Sequence, residues 1–178
     1  MRGLAPGALL DRRAGEGPRQ GPGAGGLPVR KGRIGIQKGD FSVDSELDAL
    51  LGGDVGGTVI FVGSVRGSSP SGRVPHLEFE TFGEMARKEL GRIKAEALDR
   101  FDVKGVSVVH RTGRIRAGGR IVLIIVTAAH RDAAFGACRY ILEELKKRAP
   151  IWKRERGDWS SGDLPAGPVR PSRGRRPA

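Results

Sequence analysis

The run Leu145-Lys146-Lys147-Arg148-Ala149-Pro150-Ile151-Trp152-Lys153-Arg154-Glu155 holds the residues best suited to chemistry in this chain. Cations in the last turn of a helix are favoured by its dipole, which explains Lys146 to Arg148 structurally. It does not explain a second basic pair, Lys153-Arg154, beyond a proline and beside Trp152. An amine crowded by other cations gives up its proton more readily, which suits a lysine acting as nucleophile or base. Two other clusters interrupt well-patterned elements. In Gly63-Ser64-Val65-Arg66-Gly67 a strand runs out into a glycine-rich loop, where backbone amides and an arginine can hold an anion, although on these residues alone an ordinary strand exit with a solvated Arg66 is the simpler reading. In Thr127-Ala128-Ala129-His130-Arg131-Asp132 a strand meets a helix, whose free amides His130 and Arg131 would supplement. An arginine there opposes the dipole, and that mild conflict favours an anion site over a simple capping turn.

Other chemistries leave no trace. No Walker loop and no Gly-x-Ser-x-Gly occurs, and His76, His110 and His130 stand isolated, without metal-ligand spacing. Cys138 lies on the apolar stripe of a helix and reads as a core thiol. As the chain's one cysteine, it can form no intrachain disulfide. Trp152 and Trp159 read as packing residues.

The elements that must position these groups follow from periodicity. Arg33 to Gln37 alternates as a short strand. Val43 to Leu51 reads as a helix capped by Ser42 and ended by Gly52-Gly53. Gly57 to Val65 is β-prone and almost wholly apolar, which predicts a strand covered on both faces. Gly67 to Arg73 reads as a loop and His76 to Phe82 as an alternating strand. Ala86, Leu90, Ile93, Ala97 and Phe101 form one stripe of a long helix. Strands follow at Gly105 to His110 and Arg120 to Ala128. A second long helix spans Arg131 to Arg148, with Ala134, Cys138, Ile141 and Leu145 inward. Pro150 closes it, and Ile151 to Glu155 resumes as an extended segment. The result is an α+β domain with a mixed, mostly antiparallel sheet under two long helices.

The 178 residues suit one domain with tails, read as a catalytic domain over 33–160 between Gly/Pro/Arg-rich arms at 1–32 and 161–178. Of the net charge of +12, residues 1–33 carry +5 and residues 161–178 carry +3, so the middle is only mildly basic. Both arms are too poor in apolar residues to offset ordering entropy and read as disordered. They leave open a basic RNA-binding or scaffold protein that works through its Arg/Gly tails. No apolar run approaches the ~20 residues of a membrane-spanning helix, and no signal peptide fits, so a cytoplasmic protein is expected.

Taken together, several stretches resemble the MoaE family, the large subunit of molybdopterin synthase. They are Phe61-Val62-Gly63-Ser64-Val65-Arg66, Leu77-Glu78-Phe79-Glu80, Met85-Ala86, Val109-His110-Arg111-Thr112-Gly113, Ala129-His130-Arg131 and the Leu145–Glu155 run, in the family's order and spacing. The resemblance implies an α/β hammerhead fold and a sulfurtransferase of molybdenum cofactor biosynthesis. It implies transfer of two sulfurs to cyclic pyranopterin monophosphate, which builds the molybdopterin dithiolene. Sulfur would arrive as a thiocarboxylate on the C-terminal Gly-Gly of a small ubiquitin-like partner. Carried over, Lys146 is the principal catalytic lysine and Lys153 the second, aiding proton transfer or stabilising negative charge. Arg66, His130 and Arg131 would bind substrate, with Ser64, Val65, Arg154 and Glu155 lining the site. The family implies a homodimer of large subunits within a heterotetramer. No cofactor or metal is expected, and neither a membrane nor a nucleic acid is expected as partner.

Overall fold

The computed structural model describes residues 32–70, 72–155 and 158–160. The arms expected at 1–32 and 161–178 lie outside the described residues, Gly32 excepted. The elements run β1 (Ile34–Gln37), α1 (Val43–Asp48), β2 (Gly57–Ser64), β3 (Ser68–Ser69), β4 (Gly72–Arg73), β5 (His76–Thr81), α2 (Gly83–Arg100), β6 (Val103–Arg111), β7 (Gly113–Arg116), β8 (Arg120–Ala128), α3 (Arg131–Arg148), β9 (Ile151–Glu155) and β10 (Asp158–Ser160).

The first sheet runs β1-β6-β8-β2, with β1 parallel to β6 and the other pairs antiparallel. Its inner strand β8 is buried from Val122 to Ala128, as its β-branched, apolar run requires. Val122, Ile124, Val126 and Ala128 face the helices, where Leu90, Ile93, Ala97, Ala134, Cys138, Ile141 and Leu145 meet them. Leu123 and Ile125 turn the other way, against Phe41, Leu50 and Val109, with Val43 and Leu47 of α1 alongside. Burial pushes the Cys138 thiol up to about 11, as befits a core side chain. Ser42 caps α1 as expected, its Oγ accepting from the Ser45 amide at 3.2 Å. That helix ends at Asp48, short of the expected Leu51. Strand β2 departs from expectation: it is an edge strand, and Ile60 and Val62 remain 40% and 39% exposed. Only its Val59 and Phe61 face is packed against the helices.

The architecture is the mixed, mostly antiparallel α+β fold expected, but pairing divides the strands between two main sheets. The second, β10-β9-β5-β7, is antiparallel throughout, and β3 and β4 form a small ribbon within the expected loop. Among the described residues no helix is long and apolar enough to cross a membrane.

Helices α2 and α3 are locked at one end by Arg148. Its guanidinium donates to Glu89 at 2.7 Å, to both oxygens of Glu96 at 2.6 and 2.9 Å, and to Glu144 at 3.3 Å. The Arg148 bonds, followed by that from the Tyr140 hydroxyl, hold the Glu96 carboxyl down at about 2 against an ordinary 4.5. A carboxylate with a lowered folded-state value favours folding above pH 4.5 and loses that contribution as pH falls towards 2. The urea midpoint is therefore expected to fall across that window, and less steeply in Arg148→Met. Parallel wild-type and variant curves would contradict this coupling.

Candidate active site

Beside the C-terminal end of α3 the two main sheets enclose a cavity of about 440 Å³. Helix α3 delivers Lys146 from its last turn, together with the apolar Leu142, Leu145 and Ala149. Pro150 has no amide to continue the helix, and Ala149 before it turns extended at ψ 127°. The chain is tied there by the Thr81 hydroxyl, which donates to the Pro150 carbonyl at 2.9 Å. Strand β9 starts at the next residue, opposite β5. From that point side chains alternate between faces. Ile151, Lys153 and Glu155 point into the cavity, with Leu77 and Phe79 of β5. Trp152 and Arg154 point away.

The remaining wall comes from the first sheet and the loop after β2. Ser64 and Arg66 line it, as do Ser68 and Ser69. Gly63 sits at a break in register between β2 and β8, where the strand bends away. The Ser69 hydroxyl donates to Glu155 Oε1 at 2.6 Å, fixing the one carboxylate among the described lining side chains. Among the described residues, three cations, Arg66, Lys146 and Lys153, thus share a half-apolar cavity with a single carboxylate. Such a site attracts an anion and can stabilise negative charge that develops within it.

Of the site residues expected from sequence, the cavity gathers Ser64, Arg66, Lys146, Lys153 and Glu155. Arg154 does not join them. The two-residue period puts it on the outer face, paired with Glu78, its opposite neighbour in register. Val65 lies between two lining residues, yet its side chain packs with Val74, Phe79 and Ile115 and is 2% exposed. Its backbone holds the β7–β8 turn, with bonds of 2.9 Å to the Gly119 carbonyl and 2.8 Å from the Gly118 amide. His130 and Arg131 lie at the far end of α3. Lys146 is fifteen residues further along, a rise of about 22 Å at 1.5 Å per residue. His130 makes no side-chain cap bond, and Arg131 is exposed, 3.9 Å from Asp132. Within one chain these two residues and the lysines serve different places.

Sequence reading passed over His110. It lines the cavity, is 5% exposed, and meets the Phe79 ring edge-on at 5.6 Å. Burial pulls its imidazole down to about 4, so the ring is neutral near pH 7. The available signal was a histidine directly after the apolar pair Val108-Val109 near the end of a strand.

Residues 36–148 match the family described as MoaE protein. The chain belongs to the MoaE family. Relatives include the molybdopterin synthase catalytic subunit of Mesorhizobium japonicum, 46% identical over 132 residues, which cover 72% of this chain and 82% of the relative. That of Pyrococcus abyssi is 41% identical over 128 residues, covering 70% and 86%. Among solved structures, a molybdopterin cofactor biosynthesis protein E from Burkholderia multivorans superposes with a TM-score of 0.66 at 33% identity, over 75% of this chain and 90% of that one.

In this MoaE-family cavity Gly63 is a packing requirement. A Cβ there would lie 2.7 Å from Cγ1 of Val122, a short β-branched side chain of the core cluster. Gly63→Ala is expected to cost about 1–3 kcal/mol of stability in urea denaturation. An unchanged midpoint would contradict it.

Proposed function

We propose that the chain is the catalytic large subunit of a molybdopterin synthase, which transfers sulfur from a thiocarboxylated small subunit to cyclic pyranopterin monophosphate. The observation that carries this reading is the presence of Lys146, Lys153 and Arg66 in one cavity. Both reactants are anionic, one through a phosphate and one through a thiocarboxylate. A tail ending in Gly-Gly has no side chains to obstruct entry into such a space. Lys146 would meet the tail terminus, and Lys153 would move a proton or stabilise negative charge as sulfur is transferred. Ser64, Arg66 and Glu155 would orient the substrate. The relatives' name of catalytic subunit fits a second, sulfur-carrying subunit. We place the reaction in the cytoplasm, where thiols stay reduced.

His130 and Arg131 enter this reading only through a second copy of the chain. They are too far along α3 to act at their own Lys146, but in a homodimer they can complete the neighbour's site. The catalytic unit is then residues 33–160, and the basic arms are not required.

Reconstitution tests these statements together. Purified chain, thiocarboxylated small subunit and cyclic precursor should yield molybdopterin, and still do so after removal of residues 1–32. Lys146→Ala should lose most of this activity. Arg131→Ala should also be impaired, and a mixture of the two variants should recover activity that neither has alone. No product from the wild type would overturn the synthase reading. Undiminished product from Lys146→Ala would overturn the lysine's role, and no recovery on mixing would overturn the shared site.

A further inference from the structure

His110 stands in the cavity with one ring nitrogen committed and one left over. Its Nδ1 lies 2.7 Å from the Arg111 carbonyl oxygen. A carbonyl can only accept, so Nδ1 carries the proton, and in the neutral ring Nε2 must then present a lone pair. The ring is almost fully buried, yet Nε2 has no hydrogen-bond partner among the described residues. No buried side-chain nitrogen or oxygen among those residues is both sealed and unpaired, so Nε2 retains an opening. The cavity that His110 lines provides it. A buried acceptor without a partner is costly unless water or a ligand completes it.

The charged groups of the cavity answer a different need. Arg66, Lys146 and Lys153 are donors suited to anions, and Glu155 already accepts from Ser69. A nitrogen heterocycle, however, brings N–H groups that call for a neutral acceptor against apolar walls. We propose that His110 is a substrate-binding residue whose Nε2 accepts a hydrogen bond from a ring N–H of the heterocycle that fills this cavity. This rests on the synthase reading, and it assigns to His110 the part of the substrate that the cations do not serve. The T-shaped contact with Phe79 and the bond to the Arg111 carbonyl hold the imidazole plane and tautomer before the ligand arrives.

Two variants separate the two nitrogens. Asn at 110 can keep a donor at the Nδ1 position but has nothing at Nε2, whereas Gln places an amide oxygen near Nε2. His110→Asn should raise KM for cyclic pyranopterin monophosphate about tenfold, the weight of one buried hydrogen bond. Its kcat and its KM for the small subunit should stay close to wild type, and His110→Gln should recover much of the loss. In ¹⁵N NMR of the intact wild-type chain, Nδ1 should appear protonated and Nε2 unprotonated, with Nε2 shifting as the pterin is titrated in. The inference is overturned by a protonated Nε2, or by an unchanged KM in folded His110→Asn while the wild type makes product. An Nε2 resonance indifferent to a pterin that the wild type turns over would also overturn it. A wild type that makes no product sinks the synthase reading itself, and the assignment to His110 with it.

Discussion

A proline inside a helix removes a backbone bond and clashes with the preceding turn, and the arrangement of the site depends on Pro150 ending α3. The helix can continue only to Arg148, so Lys146 falls in its last turn. The chain becomes extended at Ala149, and β9 pairs with β5 from Ile151 onward. Because a strand presents alternate residues to alternate faces, Ile151, Lys153 and Glu155 must then share one side. Shifting β9 by one residue would turn Trp152 and Arg154 inward and expel the second lysine. Two lysines seven residues apart thus meet one cavity through a helix end, a proline and a strand register.

That junction holds its place because both sides of it are anchored. Arg148, two residues before the proline, ties α3 to Glu89 and Glu96 of α2, so the last helical turn cannot fray freely. Beyond the proline, Thr81 grips the Pro150 carbonyl, and Arg154 pairs with Glu78 across the sheet. Arg154 therefore contributes from the outer face, holding the register that keeps its neighbours Lys153 and Glu155 inside. Beneath the helices, the dry strand β8 supplies a rigid floor.

Much of this was legible in the sequence, where a local pattern has a local cause. The stripes of α2 and α3, the Ser42 cap, the apolar β8 and the Pro150 stop follow from periodicity and backbone chemistry. Lys146 could be placed in a last helical turn without a structure. Pairing was less accessible. Whether β2 is inner or edge, and whether β5 and β9 join β8's sheet or form their own, depends on contacts between distant segments. The outward turn of Arg154 and the burial of Val65 are consequences of that pairing, although both residues sit beside true lining residues. His110, legible only as an isolated histidine within a family-like stretch, lacked a role for a related reason: a lone histidine near a strand end has no chemistry until Phe79, the Arg111 carbonyl and the cavity close around it.

The most direct test of this account is a crystal structure of the chain with cyclic pyranopterin monophosphate bound. The account predicts ligand density in the cavity between the two sheets, with the Lys146 and Lys153 ammonium groups turned towards it and Arg154 still paired with Glu78 outside. A ligand bound elsewhere, or a β9 register that puts Arg154 inside and Lys153 in solvent, would contradict it.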